Sequence, residues 1–206
     1  MKSFKTINGK YVFELTKKRS KFIATLCHVE SEDQATEIIN KIRSKYWDAK
    51  HNVYAYALNE GNLTRFSDDN EPHGTAGKPV LDVIEGNGLK NVLIVVTRYF
   101  GGVLLGTGGL VRAYSGAATG AVNSAKIAVM TPCCVLSLQC EYGMYDLLNK
   151  LCENIKGGVI NTDFNEQVVT KIYISAEEYN SFVDLVNNTF NGKILINIIE
   201  NKYYPI

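Results

Sequence analysis

No stretch of this 206-residue sequence stays apolar long enough to cross a bilayer. The most apolar region, residues 91–121, is interrupted by Arg98 and Arg112, and no other run approaches the ~20 residues a span needs. The opening MKSFKTINGKYVF has no apolar signal-peptide core, so the expectation is a cytoplasmic protein with no membrane partner. Cysteine is scarce and unpaired in spacing. Cys27, Cys133, Cys134, Cys140 and Cys152 form an odd set without paired spacing that argues against a disulfide framework and a zinc ribbon, and they read as reduced small hydrophobes. The adjacent Cys133 and Cys134 follow Pro132 with no activating base nearby. A large charge excess is also missing, since 22 Lys and Arg stand against 21 Asp and Glu. The two parts of the chain differ, however. Up to Ala125 there are 16 basic and 12 acidic residues, a balance of +4; beyond it, 6 and 9, a balance of −3. That asymmetry permits an anionic partner on the first part but falls short of a dedicated nucleic-acid binder.

Two nucleotide fingerprints are absent where glycines first suggest them. Residues 92–96 are a β-branched apolar run that reads as a buried strand. Arg98, Tyr99 and Phe100 then lead into Gly101, Gly102, Gly106, Gly108 and Gly109, and small residues suited to a packed helix follow from Leu110. Strand, glycine loop and helix together present free N–H groups and a positive dipole end to an anion. A P-loop would need Lys-Ser/Thr where Leu110-Val111 stands, and Val111 also replaces the third glycine of a dinucleotide motif. The segment therefore indicates an anion or a close backbone approach. A second unusual stretch, SDDNEPHGTAGKP at 67–79, carries Asp68, Asp69 and Glu71, carboxylates suited to Mg²⁺, but His73 breaks calcium-loop spacing. Its Gly74-Thr75-Ala76-Gly77-Lys78 fails as a phosphate loop because the two glycines are too close and Pro79 stands where Ser or Thr is required. Asn70 tolerates the positive φ of a tight turn.

Taken in order, residues 10–29 predict a hairpin whose turn, Lys17-Lys18-Arg19-Ser20-Lys21, is a basic cluster read as a solvated turn, with a phosphate contact as the alternative. Ser31 and Gln34 form a capping-box pattern ahead of an amphipathic helix ending near Tyr46 and Trp47. Residues 51–58 return to strand composition, with His51 read as a hydrogen-bonded structural histidine, and a short strand follows at 63–66. A short helix is expected over 80–85. In a helix over 110–123, Gly116 and Gly120 share one face and allow close approach, while Arg112, Ser115 and Thr119 share another. Composition breaks at 126–134, which reads as a linker, giving expected domains at 1–128 and 135–206. Beyond it come a strand at 135–140, a helical stripe of Met144, Leu147, Leu148 and Leu151 that Gly157-Gly158 ends, and a hairpin at 159–174. A second capping box, Ser175 with Glu178, then opens a helix, and a strand at 194–199 closes the chain. The order βαββαβ is the ferredoxin-like split unit.

SDDNEPHGTAGKP and NVLIVVTRYFGGVLLGTGGLVRAY, supported by KKRSKFIA and AKHNVYAY, make the chain similar to the YigZ/IMPACT family over residues 10–125. Asn70 stands where that family usually has glycine, preserving the turn, and His73 where a small residue is usual. The resemblance implies an α+β protein. Its N-terminal β/α domain would be similar to the superfamily of ribosomal proteins and elongation factor G domain IV, and its C-terminal ferredoxin-like domain to domain V of that factor. It further implies translational control under stress in eukaryotic relatives, which compete for a ribosome-associated activator of an initiation-factor kinase, with no chemistry assigned.

The leading expectation is a non-enzymatic binding protein of the translation machinery, meeting RNA, the ribosome or a translation-associated protein. Arg98, Arg112, Lys78, Gly106, Gly108 and Gly109 would contact phosphates, and Asp68, Asp69, Glu71, Gly74, Thr75 and Gly77 would form the signature loop. No catalytic set, metal or cofactor is assigned. One alternative is a nucleotide- or phosphate-dependent enzyme or switch, with the loop holding phosphates and the three acids holding Mg²⁺. Another is a protein-interaction module using Tyr99, Phe100, Val103, Leu104 and Leu105. A packing role is the competing reading, with Arg98 and Arg112 ion-paired to the acidic loop.

Overall fold

The structure, a computed structural model, describes residues 2–206 and divides into two compact units, Phe4–Ala128 and Val129–Ile206, the latter joined by Lys2 and Ser3. In the first unit a short strand β1 (Phe4–Ile7) precedes the antiparallel hairpin β2 (Lys10–Lys17) and β3 (Ser20–His28). The hairpin turn is Lys18-Arg19, both at positive φ, the conformation a tight two-residue turn demands. Helix α1 (Glu32–Lys45) starts as expected, with the Ser31 hydroxyl accepting from the Gln34 N–H. Strands β4 (His51–Ala57), β5 (Thr64–Ser67) and β6 (Val92–Tyr99), with helices α2 (Gly77–Gly86) and α3 (Thr107–Asn123), complete the unit.

Its sheet runs β2-β3-β6-β4-β5 and is antiparallel throughout the paired strands. Strand β6 is central and covered on both faces, which is why residues 92–96 lack alternation. On one face Ile94 and Val96 join Phe22, Val53 and Ala55 beneath Val80 and Ile84 of α2 and Tyr114 and Ala117 of α3. On the other, Leu93 and Val95 meet Ala35, Ile39 and Ile42 of α1. A Cβ on Gly120 would lie 2.2 Å from the Phe13 ring, and one on Gly116 would lie 3.4 Å from Leu15, so α3 approaches β2 through this glycine face.

The second unit carries β7 (Ile127–Cys140) from Val129 onward, α4 (Tyr142–Cys152), β8 (Gly157–Phe164), β9 (Val168–Ser175), α5 (Tyr179–Phe190) and β10 (Leu195–Pro205). Strands β10, β7, β9 and β8 are neighbours in that order, the arrangement of the ferredoxin-like split unit. Leu136 and Leu138 of β7 and Ile172 and Ile174 of β9 pack against Leu148 of α4 and Phe182, Val186 and Phe190 of α5. The molecule is thus an α+β chain of two units with antiparallel sheets.

Three local expectations are corrected. Residues 127–134, expected as linker, are the first half of β7, and Pro132 pairs with Tyr203 of β10. The Pro132 carbonyl accepts from the Ala176 N–H, just beyond the end of β9. The Ser175 capping box does not form. Ser175 belongs to β9, its hydroxyl accepts from the Glu177 N–H, and the Glu178 carboxylate accepts from the Lys156 N–H. Gly157 and Gly158 open β8 instead of merely ending a helix, because a Cβ on Gly157 would lie 2.0 Å from the Tyr173 carbonyl oxygen. Among the described residues no helix is long and apolar enough to cross a membrane.

Candidate functional site

The loop between β5 and α2 is built on carboxylates turned inward. Asp68 accepts the N–H groups of Gly74 (2.9 Å), Ala76 (3.1 Å) and Gly77 (2.7 Å), so it caps α2 from eight residues before the cap position. Gly77 starts the helix, three residues ahead of the expected Val80. No Cβ fits at Gly77, where it would lie 2.7 Å from the Ser67 carbonyl. Asp69 and Asn70 both take positive φ, which turns the chain back on itself. Asp69 accepts from the Asn52 N–H (2.6 Å) and Arg43 (2.8 Å), and its carbonyl accepts from His51 Nδ1 (2.7 Å). Because a carbonyl can only accept, Nδ1 carries the hydrogen. Thr75 donates to the Pro72 carbonyl and is buried in the loop, while Gly74 supplies another positive φ.

Glu71 points into the unit. Its Oε1 accepts from Arg98 (2.5 Å) and from the Tyr114 hydroxyl (2.8 Å), with His51 Nε2 at 3.7 Å. Arg98 is only 5% exposed, and its guanidinium lies over the rings of Phe22 and Phe100. Glu71 supplies the counter-charge that makes this burial tolerable. One donor is left over, because Arg98 Nε is buried without a partner. Burial, then the charge and hydrogen bond of Glu71, push the Tyr114 phenol far above its usual range.

The glycine segment serves several local needs. A Cβ on Gly101 would sit 2.0 Å from the Arg19 carbonyl carbon, so the segment can press on the hairpin turn only as glycine, and its N–H reaches the Ser20 hydroxyl. Gly102 and Gly106 take positive φ. Helix α3 begins at Thr107 instead of Leu110, which puts Gly108 and Gly109 inside its first turn. No side chain caps this end, and the first helical bond runs from Leu110 N–H to Gly106 C=O, so the N–H groups of Thr107, Gly108 and Gly109 lack a cap.

Two cavities flank this segment, and Leu105 lines both. One, about 440 Å³, has Phe13, Leu15 and Leu105 as its apolar surface and Lys17, Lys18 and Arg112 as its cations. None of those three makes an ion pair among the described residues. The other, about 470 Å³, lies between the acidic loop and the start of α3 and includes Lys50, His51, Glu71, Arg98, Phe100 and Thr107.

The expected phosphate contacts therefore separate. Arg98 is a buried strut, Arg112 is exposed, and Gly106 to Gly109 form a helix start. Lys78 lines neither cavity: it pairs with Asp82 (2.7 Å) and Glu85 (3.7 Å) along α2, and the Asp82 hydrogen bond raises its amine pKa. Arg98 meets the acidic loop as the packing alternative holds; Arg112 does not. Lys17 and Lys18, expected as a solvated turn with a phosphate contact as the alternative, line the first cavity, and neither Lys50 nor Tyr114 carries a signal that sequence spacing alone singles out. Among the described residues no cluster of three His, Cys, Asp or Glu side chains is placed to hold a metal ion.

Residues 18–122 match the Impact N-terminal domain, and residues 138–193 match a Domain of unknown function (DUF1949). "IMPACT family member YigZ" of Escherichia coli is 34% identical over 186 residues, covering 89% of this chain and 91% of that protein. "Protein IMPACT homolog" of Dictyostelium discoideum is 41% identical over 96 residues, which are 45% of this chain and 28% of that protein. A solved structure described as "Crystal structure of an hypothetical protein" superposes with a TM-score of 0.64 at 32% identity, covering 97% of this chain and 98% of that one.

Proposed function

This chain belongs to the IMPACT family, and we propose that it works without catalysis in the cytoplasm, binding RNA of the translation machinery through the face that carries Arg112. One observation supports the reading above the rest. Lys17, Lys18 and Arg112 come from a hairpin turn and a helix 94 positions further on, yet meet around one apolar cavity with no acidic partner. Unpaired cations beside apolar surface suit a strand of RNA, whose phosphates need counter-charge and whose bases need a place to stack. Gly109, in the uncapped first turn of α3, lines the same cavity.

Fluorescence anisotropy with a short single-stranded RNA tests this. Affinity is expected to fall steeply with salt, and changing Lys17, Lys18 and Arg112 together to Ala should flatten the log–log slope by about 2, near 0.7 per lost phosphate contact on a single strand. Absence of binding at low salt, or an unchanged slope in the triple variant, rejects the reading.

A protein partner is the second reading, carried by Leu104. This side chain is 82% exposed at the edge of the second cavity, in the same segment as the exposed Phe100 and Val103. Binding to a ribosomal protein that survives nuclease and is lost in Leu104→Asp would favour it. The Mg²⁺-dependent alternative finds less support, since Asp68, Asp69 and Glu71 are all engaged inside the protein.

A further inference from the structure

The cavity between β2 and α3 is open where one side chain would close it. Phe13, Leu15 and Lys17 alternate along β2, and Gly109, Arg112, Ala113 and Gly116 follow one another on α3 at the spacing of a single helix face, so the two rows meet. Between them they enclose about 440 Å³, the size of a small-molecule site. Glycine at 120 has a packing reason, because a Cβ there would strike the Phe13 ring at 2.2 Å. Glycine at 116 has none of that kind. A Cβ there would meet only the end of the Leu15 side chain, at 3.4 Å, an ordinary contact, and alanine would favour the helix. What this glycine does is leave room beside Leu15.

We propose that the cavity receives one unstacked base of a single-stranded RNA, so that the protein selects unpaired RNA over duplex, an inference that rests on the RNA-binding reading of the same face. Depth and charge sort the lining. Ala113 is buried and Phe13, Leu15, Leu105 and Gly116 are half-buried, whereas Lys17, Lys18 and Arg112 are exposed. Apolar surface therefore lies within and cations stand at the mouth, none of them answered by an ion pair among the described residues. What complements such a mouth is an anionic chain carrying an apolar face. An RNA strand has a phosphate on either side of each base, and any base can lay a face against Phe13, Leu15 and Leu105.

Base pairing blocks that step. In a duplex each base has its faces against its neighbours and its edge against a partner, and proteins meet such a helix through sugar and phosphate. To pass the cations and reach Leu15, a base has to leave the stack, which costs least where it is already unpaired. The edge of the base is not read by an acceptor. Lys17, Lys18 and Arg112 are donors only, and no other lining side chain carries a polar atom. Entry is therefore governed by strandedness and by the presence of a base, with little regard to which base it is.

Anisotropy on the full chain tests this with three probes of equal length at one salt concentration: an oligouridylate, a single strand of abasic nucleotides and an RNA duplex. The oligouridylate should bind about tenfold more tightly than the abasic strand, the effect of one stacked base. It should also bind more tightly than the duplex, although the duplex carries the denser charge and would win on electrostatics alone. Gly116→Leu fills the cavity and should bring the oligouridylate down to the affinity of the abasic strand. Gly116→Ala should lose less, with a melting temperature at or above that of the parent, and it keeps the test decisive if leucine disturbs the fold. Equal binding of oligouridylate and abasic strand, or parental affinity in both Gly116 variants, overturns the proposal and leaves the cavity to another occupant, such as an apolar side chain of an acidic protein. If all three probes bind alike with a salt slope that answers to the Lys17, Lys18 and Arg112 variant, the RNA face stands and the base cavity falls. If none binds at low salt, both fall.

Discussion

Arg98 is the residue whose environment the first unit is arranged to satisfy. Its cation is held between two rings and answered by one carboxylate, so removing that carboxylate should be far more damaging than removing both partners. Glu71→Gln is expected to destabilise the protein by about 3–5 kcal/mol in urea unfolding, while the double change Arg98→Met with Glu71→Leu should recover most of the loss. Two phenols give a second expectation at this scale. Burial, then the hydrogen bond and charge of Glu32, push Tyr56 up to about 12, and Tyr114 is raised further beside Glu71. Both hold their proton more tightly folded than unfolded. Their contribution is therefore complete below the ordinary tyrosine value of 10.0 and is lost as pH rises through the folded value. The melting temperature should hold up to pH 10 and fall between 10 and 12, and Tyr56→Phe should remove part of that fall. The pairing of Arg98 with the acidic loop was legible from two oppositely charged segments in one sequence. Tyr114 was hidden, because a tyrosine among glycines and alanines gives no hint that its hydroxyl ends on Glu71. Lys17, Lys18 and Arg112 were visible only singly, since their meeting depends on how α3 lies over β2.

Elements were easier to read than their ends. Strand β6 and the amphipathic face of α1 followed from apolar spacing, because burial on two faces or on one leaves a direct mark in sequence. Ends depend on hydrogen bonds that spacing does not reveal. Ser31 caps α1 as its pattern indicates, but the same pattern at Ser175 is overridden because that residue lies in β9. Helix α2 has no cap within reach of its own sequence and is held by Asp68 from across the loop. Asp68→Ala should cost about 2 kcal/mol, the upper end for a lost cap, since three N–H groups lose their acceptor at once; urea midpoints would measure it. Gly120→Ala separates propensity from packing. Alanine is favoured in a helix interior by about 1 kcal/mol over glycine, yet the Phe13 ring occupies its place, so the variant should be less stable than the parent in the same assay.

Across the whole molecule, charge and thiols report on the two units separately. The +4 of the first part is the bulk counterpart of the basic face around Arg112, and the −3 of the second gives no reason to place RNA there. Cys27 lies in the first unit and Cys133, Cys134, Cys140 and Cys152 in the second, all free and buried, and burial raises the pKa of every one. Native protein should therefore resist alkylation at neutral pH, and each thiol should label only as its own unit opens. Mass spectrometry of partly labelled chains would show Cys27 reacting independently of the other four. Immediate labelling of Cys133 or Cys134 in native protein would contradict this picture. The order of elements in the second unit was legible from periodicity, whereas the length of β7 was not, because Thr131-Pro132 signals a break in sequence although Pro132 pairs with Tyr203 within the strand. That long strand has a consequence for how the protein is made. Gln139 and Met130 of β7 pair with Leu195 and Pro205, near neighbours only after the whole unit has emerged. The first unit can close early around its local hairpin, but the second must wait for its last strand. A growing chain halted before β10 would carry an open sheet edge along β7, and that intermediate is where chaperones, proteases or self-association would act first.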